Sequence, residues 1–248
     1  ITASGKLKIA LVNENRPPFF YENESGDLAG LDIELAQKIA SALHVTATFD
    51  RRPATYDAAI DHIANEKADM AISYLSATSK RAQKVMFSTP YLKIQKIFLL
   101  NRIFEAKLRK ERNNIPYSER KGLRMGAIIG SAYVGFARDF FPDAALTLYM
   151  NAPELIAAVE EGDMPAALVD ESSVHDWFRS SQPSALKLKR VPNLLGADSI
   201  SIAIPAENQQ LLHWLNTYLQ ELRESGYLAQ LDEKYRKNAG VRDAKAAN

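Results

Sequence analysis

The sequence predicts an α/β protein whose sheets are mostly parallel and carry helices on their faces. Short apolar runs alternate with segments of helical periodicity over residues 7–73, and this alternation is typical of parallel sheets. The chain of 248 residues, 46% of them hydrophobic, is long enough to bury a sizeable core in one large or two modest domains. Because ligands of such sheets bind beyond the carboxyl ends of the strands, the polar residues that follow each strand are the first site candidates.

The first five predicted elements follow one another with little interruption. Residues 7–12 alternate and then become continuously apolar, which predicts a buried strand. Residues 30–43 carry apolar side chains three and four positions apart, which predicts a helix. A strand over 45–49, a helix over 56–64 and a strand over 69–73 complete the series.

The second half of the chain continues the pattern after a change in composition. Residues 97–100 predict a buried strand, and the stretch 102–121, rich in Lys, Arg, Glu and Asn, predicts a solvated face or loop. A strand over 123–129 then leads through Gly130–Ala132 into a helix whose N-terminus favours an anion. The remaining predicted elements are strands over 144–149, 166–170, 186–191 and 199–204 and helices over 153–161, 172–178, 211–224 and 228–235.

Composition and charge exclude several classes of function. The net charge of +1 gives no electrostatic case for a nucleic acid or a membrane surface as partner. The chain has no cysteine and its four histidines are dispersed, so we expect neither a metal nor a cofactor. No apolar run approaches the roughly 18 residues of a membrane span. The start at Ile1 indicates a mature chain from which a leader has been removed.

The stretch Ser73–Arg81, which directly follows a predicted strand, is the most informative part of the sequence. Ser73, Ser76 and other short hydroxyl residues accompany turn backbone whose N–H groups are available to a ligand. Arg81 adds a planar guanidinium, which pairs with a carboxylate through two hydrogen bonds. This combination suits a small carboxylate ligand. A capped helix N-terminus with Arg81 on a solvated face is the alternative that the residues leave open.

Two short motifs in this region resemble those of a known family. They are Thr-Ser-Lys-Arg at 78–81 and Phe-Ser-Thr-Pro-Tyr at 87–91. The pattern resembles the family 3 solute-binding proteins of bacterial ABC importers, in particular the lysine/arginine/ornithine- and glutamine-binding branches. The resemblance covers nearly the whole chain.

The resemblance implies a fold, a location and partners. We expect the two-lobed periplasmic binding protein fold of type II, with one lobe over residues 5–93 and 197–240, a second over 94–196, and a two-strand hinge between them. The protein is then expected to be a periplasmic monomer without enzymatic activity. It would capture a polar amino acid in the cleft and deliver it to the membrane subunits of an ABC importer.

The resemblance also implies roles for individual residues. Arg81 and the turn around it, together with Ser131 and Ala132, would bind the α-carboxylate of the ligand. Asp170 would bind the α-ammonium, although a carboxylate at a strand end also suits capping of the next helix. The expected ligand-binding residues are Asn13, Arg16, Tyr56, Ser73, Tyr74, Ser76, Arg81, Ser131, Ala132 and Asp170.

Three departures from the family pattern concern the ligand's side chain. Asn13 stands where the lysine/arginine branch has an Asp, Arg16 where it has an aromatic residue, and Tyr74 where relatives have Gly or Ser. Loss of the acid and gain of a cation predict a polar neutral or acidic amino acid in preference to lysine or arginine. Glu14 is the alternative, because it could supply the missing acid.

Two other functions are compatible with the same resemblance. One is an enzyme similar to the cyclohexadienyl dehydratases, for which Glu14 is the one unassigned candidate acid or base. The other is the ligand-sensing domain of a receptor. Turnover of prephenate or arogenate would distinguish the enzyme from a binding protein.

Overall fold

A computed structural model of the chain describes residues 4–110, 116–180, 184–191 and 196–238. Contacts divide the chain into two units: unit 1 comprises Ile1–Lys93 and Ser199–Asn248, and unit 2 comprises Ile94–Asp198. The predicted lobes and hinge stay predictions, because a division by contacts does not show that either unit folds or moves alone.

Strands and helices alternate through most of the chain. The strands are β1 Lys6–Ala10, β2 Tyr21–Glu22, β3 Leu28–Ala29, β4 Thr46–Asp50, β5 Met70–Ala71, β6 Val85–Phe87, β7 Leu92–Asn101, β8 Arg124–Ile128, β9 Ala145–Tyr149, β10 Ala166–Asp170, β11 Leu188–Val191, β12 Ala197–Ile200 and β13 Ala203–Pro205. The α-helices are α1 Leu31–Ala42, α2 Tyr56–Ala64, α3 Arg102–Lys110, α4 Ala132–Phe140, α5 Ala152–Glu161, α6 Glu171–Ser180, α7 Ser184–Lys187, α8 Gln209–Glu224 and α9 Tyr227–Asn238.

The sheet of unit 1 has the strand order β4-β1-β5-β13-β6. Strand β1 runs parallel to both β4 and β5, whereas β13 runs antiparallel to β5 and β6. Ala10 is paired with Asp50 on one side and with Ala71 on the other. The carboxyl ends of these three strands therefore lie side by side, and the loops that follow them can share one site.

The sheet of unit 2 follows the order β11-β7-β10-β8-β9, with β12 paired to β7. Strands β10, β8 and β9 are parallel, and β7 is antiparallel to both β10 and β11. Odd-numbered residues of β7 and β10 pack with α5 and α6, and even-numbered residues pack with α4. This two-residue alternation places a helical layer on each face of the sheet.

Local sequence explains where several helices begin and end. Thr55 caps α2 by accepting a hydrogen bond from the N–H of Ala58, and Asn151 caps α5 in the same way from the N–H of Glu154. Gly162 ends α5 in the left-handed conformation, at a φ of 92° that suits glycine. These boundaries agree with the predicted helices over 56–64 and 153–161.

One predicted segment takes one of its two expected forms, and another starts differently from the prediction. Residues 102–110 form helix α3, so the charged stretch begins as a helix with a solvated face, capped by the Asn101 side chain at the N–H groups of Ile103 and Phe104. Residues 111–115 lie outside the described residues. The strand predicted from 186 is wrong at its start, because 184–187 form helix α7 before β11 begins.

Candidate functional site

In unit 1 the predicted site residues gather at the carboxyl ends of β1 and β5. The Ser73 hydroxyl accepts the backbone N–H of Val12 at 2.9 Å, which joins the two strand ends. Asn13 is exposed, and its own N–H donates to the carbonyl of Pro53 at 2.8 Å. Ser73 thus has a structural contact whether or not it also contacts a ligand.

The Tyr74 ring joins two other parts of unit 1. It stacks on Phe19, with ring centroids 3.8 Å apart, and the Arg16 guanidinium carbon lies 5.1 Å from the Tyr74 centroid. Tyr74 has a φ of 52°, which is uncommon for a residue other than glycine. Its backbone N–H donates to Asp32 at 2.6 Å, and this bond holds the unusual conformation.

Arg81 is buried, at 5% exposure, and its guanidinium has defined partners. Nε and Nη2 both donate to Oδ1 of Asp57, at 3.0 and 2.9 Å, and Nη1 donates to the carbonyl of Ser76 at 3.1 Å. The alternative of a solvated Arg81 is therefore wrong. The Thr78 hydroxyl also accepts the backbone N–H of Arg81 at 3.3 Å, so the capping contact exists as well.

Glu14 and Tyr56 form a second polar contact in unit 1. The Tyr56 hydroxyl donates to the Glu14 carboxylate, and Nη2 of Arg51 donates to the Glu14 carbonyl at 2.7 Å. Tyr56 begins α2, one residue before the Asp57 that orients Arg81. Glu14, which the sequence left open as the alternative acid, thus contacts Tyr56, one of the expected ligand-binding residues.

A buried acid, Asp32, holds Tyr74 and Tyr91 through hydrogen bonds. Asp32 is fully buried and accepts the N–H of Tyr74 and, at 2.8 Å, the hydroxyl of Tyr91. Burial raises the pKa of Asp32 to about 7, although both hydrogen bonds favour its ionised form. Burial and the nearby Asp32 carboxylate raise the pKa of Tyr91 well above its usual value.

In unit 2 the predicted carboxylate partners lie at the start of α4. Ser131 and Ala132 are each 8% exposed, and the Ser131 hydroxyl donates to the carbonyl of Ile128 at 2.7 Å. Ser131 is the N-cap residue but makes no side-chain cap hydrogen bond. The first N–H groups of α4 are of the kind that bind an anion at a helix start.

Asp170 lies at the end of β10 and caps α6. Oδ1 accepts the N–H of Ser173 at 3.0 Å and Oδ2 accepts its hydroxyl at 2.8 Å, while the Ser172 hydroxyl also donates to Oδ1. The capping role that the sequence left open is therefore confirmed. An ionised carboxylate offers about four acceptor positions, so capping is compatible with binding a further donor.

Sequence reasoning missed Lys96, which is 7% exposed and lies opposite Asp170 in the antiparallel pair of β7 and β10. Its position directly before the apolar run Ile97–Leu100 of a predicted buried strand was the feature that could have identified it. Reasoning also missed Asp57 and Asp32, whose partners Arg81 and Tyr91 are distant in sequence.

Neither a membrane-spanning helix nor a metal-binding cluster occurs in the described part of the chain. No helix there combines the length and apolar character needed to cross a membrane. No three His, Cys, Asp or Glu side chains group there as metal ligands would.

Comparison with known proteins identifies relatives along almost the full chain. The model of the family described as bacterial extracellular solute-binding proteins, family 3, matches residues 7–238. ABC transporter arginine-binding protein 1 of Escherichia coli K12 is 22% identical over 226 residues, 90% of this chain and 88% of that protein. L-cystine-binding protein TcyJ of the same strain is 25% identical over 219 residues, 88% of this chain and 78% of that protein.

A solved structure with the same fold is that of an ancestral amino acid-binding protein described as a precursor of cyclohexadienyl dehydratase. The TM-score is 0.72 and the sequence identity 22%, with 95% of this chain and 96% of that chain covered. The predicted fold class, α/β of the type II periplasmic binding proteins, is confirmed.

Proposed function

Because this chain belongs to the bacterial extracellular solute-binding proteins of family 3, we propose that it captures a polar amino acid in the periplasm and delivers it to an ABC importer. The observation that carries this proposal is the buried, oriented guanidinium of Arg81 beside the Ser/Thr turn of unit 1. A buried arginine that Asp57 and a carbonyl hold in place is preorganised to bind a carboxylate.

Arg81 binds the α-carboxylate in this proposal. Its Nη1 contact to the Ser76 carbonyl and its two bonds to Asp57 fix the plane of the guanidinium. Asp57 is half exposed, so a ligand carboxylate can share the cation with it at modest cost. The first N–H groups of α4, at Ser131 and Ala132, supply further donors.

Asp170 binds the α-ammonium. It is 4% exposed, and the donors from Ser172 and Ser173 hold its carboxylate in one orientation. A positive ligand group beside this buried carboxylate would form a charge-assisted hydrogen bond, which is stronger than one between neutral groups.

The ligand's side chain is polar and carries no net positive charge. Arg16 and Tyr74 supply a cation on an aromatic ring, and Glu14 and Tyr56 supply an acid beside a second ring. Because the two charges have opposite sign, this group does not select a cation as a lone acid would. The relatives named for arginine and for cystine show that the family accommodates side chains of different charge.

No catalytic step is part of the proposal, and no cofactor is needed. Glu14, the candidate acid for dehydratase chemistry, accepts a hydrogen bond from the Tyr56 hydroxyl. We propose a monomer that works with the membrane subunits of the importer.

Calorimetric titration with a panel of amino acids tests this function. The panel contains glutamine, glutamate, cystine, lysine and arginine, and we expect glutamine, glutamate or cystine to bind most tightly. Arg81→Ala should abolish measurable binding. Asp170→Asn should weaken it by about 2–5 kcal/mol, as expected for loss of one member of a desolvated charge pair.

Two exposed residues provide matched controls for the titration. Arg52→Ala removes an arginine that is 68% exposed, and Asp139→Asn removes an exposed acid on α4. Both variants should bind as the wild type does. Tightest binding of lysine or arginine would refute the side-chain assignment and point to Glu14, and turnover of prephenate would refute the absence of catalysis.

A further inference from the structure

Two of the residues proposed to contact the ligand's side chain lie in one loop of unit 1, which follows β1. Glu14 and Arg16 are two positions apart, and both lie outside the helices and the numbered strands. A loop is held less firmly than the strands around it, so the place of these side chains depends on contacts from neighbouring segments. A binding group selects among ligands only where such contacts hold it in a fixed position.

The segment that follows β4 lies beside this loop and holds its start. The N–H of Leu11 donates to the carbonyl of Asp50 at 2.9 Å, and the N–H of Asn13 donates to that of Pro53 at 2.8 Å. Arg51 lies between these two acceptors in the sequence. Its side chain therefore begins next to the backbone of the loop.

The Arg51 guanidinium joins the loop to β2. Nη2 donates to the Glu14 carbonyl at 2.7 Å and to Oδ1 of Asn15 at 3.3 Å, and Nη1 forms an ion pair with Glu22. The same Oδ1 of Asn15 accepts the N–H of Glu22 at 3.1 Å. The Arg51 side chain is 18% exposed, whereas that of Glu22 is 50% exposed. Arginine suits such a set of acceptors, because the donors of its planar fork point in fixed directions.

The contact between Arg51 and Glu14 involves the backbone of Glu14 and not its carboxylate. The carboxylate accepts the hydroxyl of Tyr56, the first residue of α2, and Thr55 caps that helix. Glu14 is thus held at its carbonyl by Arg51 and at its side chain by a residue of a capped helix. An ionised carboxylate offers about four acceptor positions, so the bond from Tyr56 is compatible with a further donor from a ligand.

We propose that Arg51 is a positioning residue for side-chain selection: by holding the Glu14 carbonyl, it keeps the Glu14 carboxylate beside Tyr56, where the ligand's side chain is recognised. The inference rests on the proposed function, which assigns Glu14 and Tyr56 to the ligand's side chain. Arg51 acts through the loop and contacts no ligand atom. Its fork, and not only its positive charge, is required, because a lysine offers one nitrogen where Arg51 uses two.

The hydroxyl of Tyr56 reports on this role in the ligand-free protein. The chain is labelled with tyrosine carrying ¹³C at Cζ, whose chemical shift responds to a hydrogen bond of the phenol. Tyr56→Phe assigns the signal, and Glu14→Ala gives its position without the carboxylate acceptor. In Arg51→Gln we expect the Tyr56 signal to move at least half of the way from its wild-type position to that in Glu14→Ala. An unchanged signal in Arg51→Gln would overturn the inference.

Two further variants separate the geometry of Arg51 from its charge and from the stability of the fold. Arg51→Lys keeps the charge and is the milder change, so it also serves as the test if Arg51→Gln does not fold. It should move the Tyr56 signal in the same direction, and a wild-type signal in Arg51→Lys would overturn the role of the fork. Arg52→Gln removes the next arginine, which is 68% exposed and pairs with Asp50, and should leave the Tyr56 signal in place. An equal shift in Arg52→Gln would also overturn the inference.

Calorimetry distinguishes failure of this inference from failure of the proposed function. L-glutamine, L-glutamate and L-cystine are titrated into the wild type, Arg51→Gln, Glu14→Ala and the double variant. Each single change should weaken the binding of the tightest of these ligands roughly tenfold, and the double variant should bind within about twofold of Glu14→Ala, because Arg51 acts through Glu14. Weakening by the product of the two single effects would overturn the inference. If the wild type binds no amino acid, the proposed function is wrong, while the Tyr56 signal still decides whether Arg51 positions Glu14.

Discussion

Asp32 connects the stability of unit 1 to the loop that carries the candidate site. Its two carboxylate oxygens accept the N–H of Tyr74 and the hydroxyl of Tyr91. One side chain thus holds both the left-handed backbone conformation of Tyr74 and the buried phenol of Tyr91. Both partners donate, and the ionised form satisfies them better than the protonated form does. Full burial disfavours the ionised form of Asp32, and this effect of burial outweighs that of the two hydrogen bonds.

Ionisation of Asp32 should make the wild type less stable as pH rises. Burial raises the folded-state pKa from 3.8 to about 7, so the folded protein retains this proton longer than the unfolded chain does. The free energy of unfolding therefore falls between pH 4 and pH 7, by an amount on the order of 4 kcal/mol. Urea unfolding of the wild type and Asp32→Asn at pH 5 and pH 8 measures this contribution.

Asn cannot ionise, so the Asp32→Asn variant should lose this part of the pH dependence. The free energy of unfolding of the variant minus that of the wild type should therefore be larger at pH 8 than at pH 5. An equal difference between the two proteins at both pH values would contradict the raised pKa. Asp69→Asn, which alters an acid that accepts the N–H of Lys8 in the middle of β1, is the control.

Individual residues show which parts of the site the sequence could predict. Arg81 belongs to a short sequence motif. Its position just after a strand can be predicted from the residues next to it in the sequence. The contact from Asp57, 24 residues earlier, depends on how α2 packs in unit 1, which no local pattern specifies. Lys96 was missed for a similar reason, because a lysine in a strand usually faces solvent and only pairing with Asp170 makes this one informative.

At the level of elements, Leu155 of α5 packs directly over Gly126 of β8. A Cβ added to Gly126 on β8 would lie 2.2 Å from Cδ1 of Leu155 on α5 and 3.1 Å from the Tyr149 ring. Leu155 is fully buried in a cluster with Ile156 and Val159, so its side chain has little room to move. The absence of a side chain at Gly126 allows the helix to pack directly on the strand.

Gly126→Ala should therefore destabilise the protein by about 1–3 kcal/mol through overpacking. Gly135→Ala is the matched control, because Gly135 lies within α4 and has no neighbour within 4 Å of an added Cβ. The control should be more stable than the wild type by about 0.5–1 kcal/mol, since alanine favours a helix. Urea unfolding of both variants measures the two changes, and equal effects would contradict the packing argument.

Elements were predictable where chain-local chemistry determines them. Helices α2 and α5 have a capping residue, a helical apolar pattern and, in α5, a terminal glycine. Helix α3 was not recognised, because its charged composition masks the cap that Asn101 provides and the burial of Glu105. Phe104 packs against the apolar cluster around Phe98 and Phe141, so contacts with the rest of unit 2 help to stabilise α3.

For the molecule as a whole, the two tryptophans provide one reporter in each unit. Trp177 lies on α6 of unit 2, where its indole N–H donates to Glu160 at 2.8 Å. Trp214 lies on α8 of unit 1 and stacks on Tyr218 with centroids 5.2 Å apart. The chain contains no other tryptophan, so each single-Trp variant reports on one unit.

Ligand binding should raise the melting temperature that each of the two reporters detects. In the proposed function one ligand contacts both Arg81 of unit 1 and Asp170 of unit 2, and such a ligand would stabilise the folded state of both units. At a hundredfold excess over Kd, binding contributes about 2.7 kcal/mol, which corresponds to roughly 5–10 °C for a chain of this size. Trp177→Phe and Trp214→Phe are melted with and without the tightest-binding amino acid, with fluorescence as the readout. A shift in the Trp214 signal alone would mean that the ligand depends on unit 1 only, and the role proposed for Asp170 would be wrong.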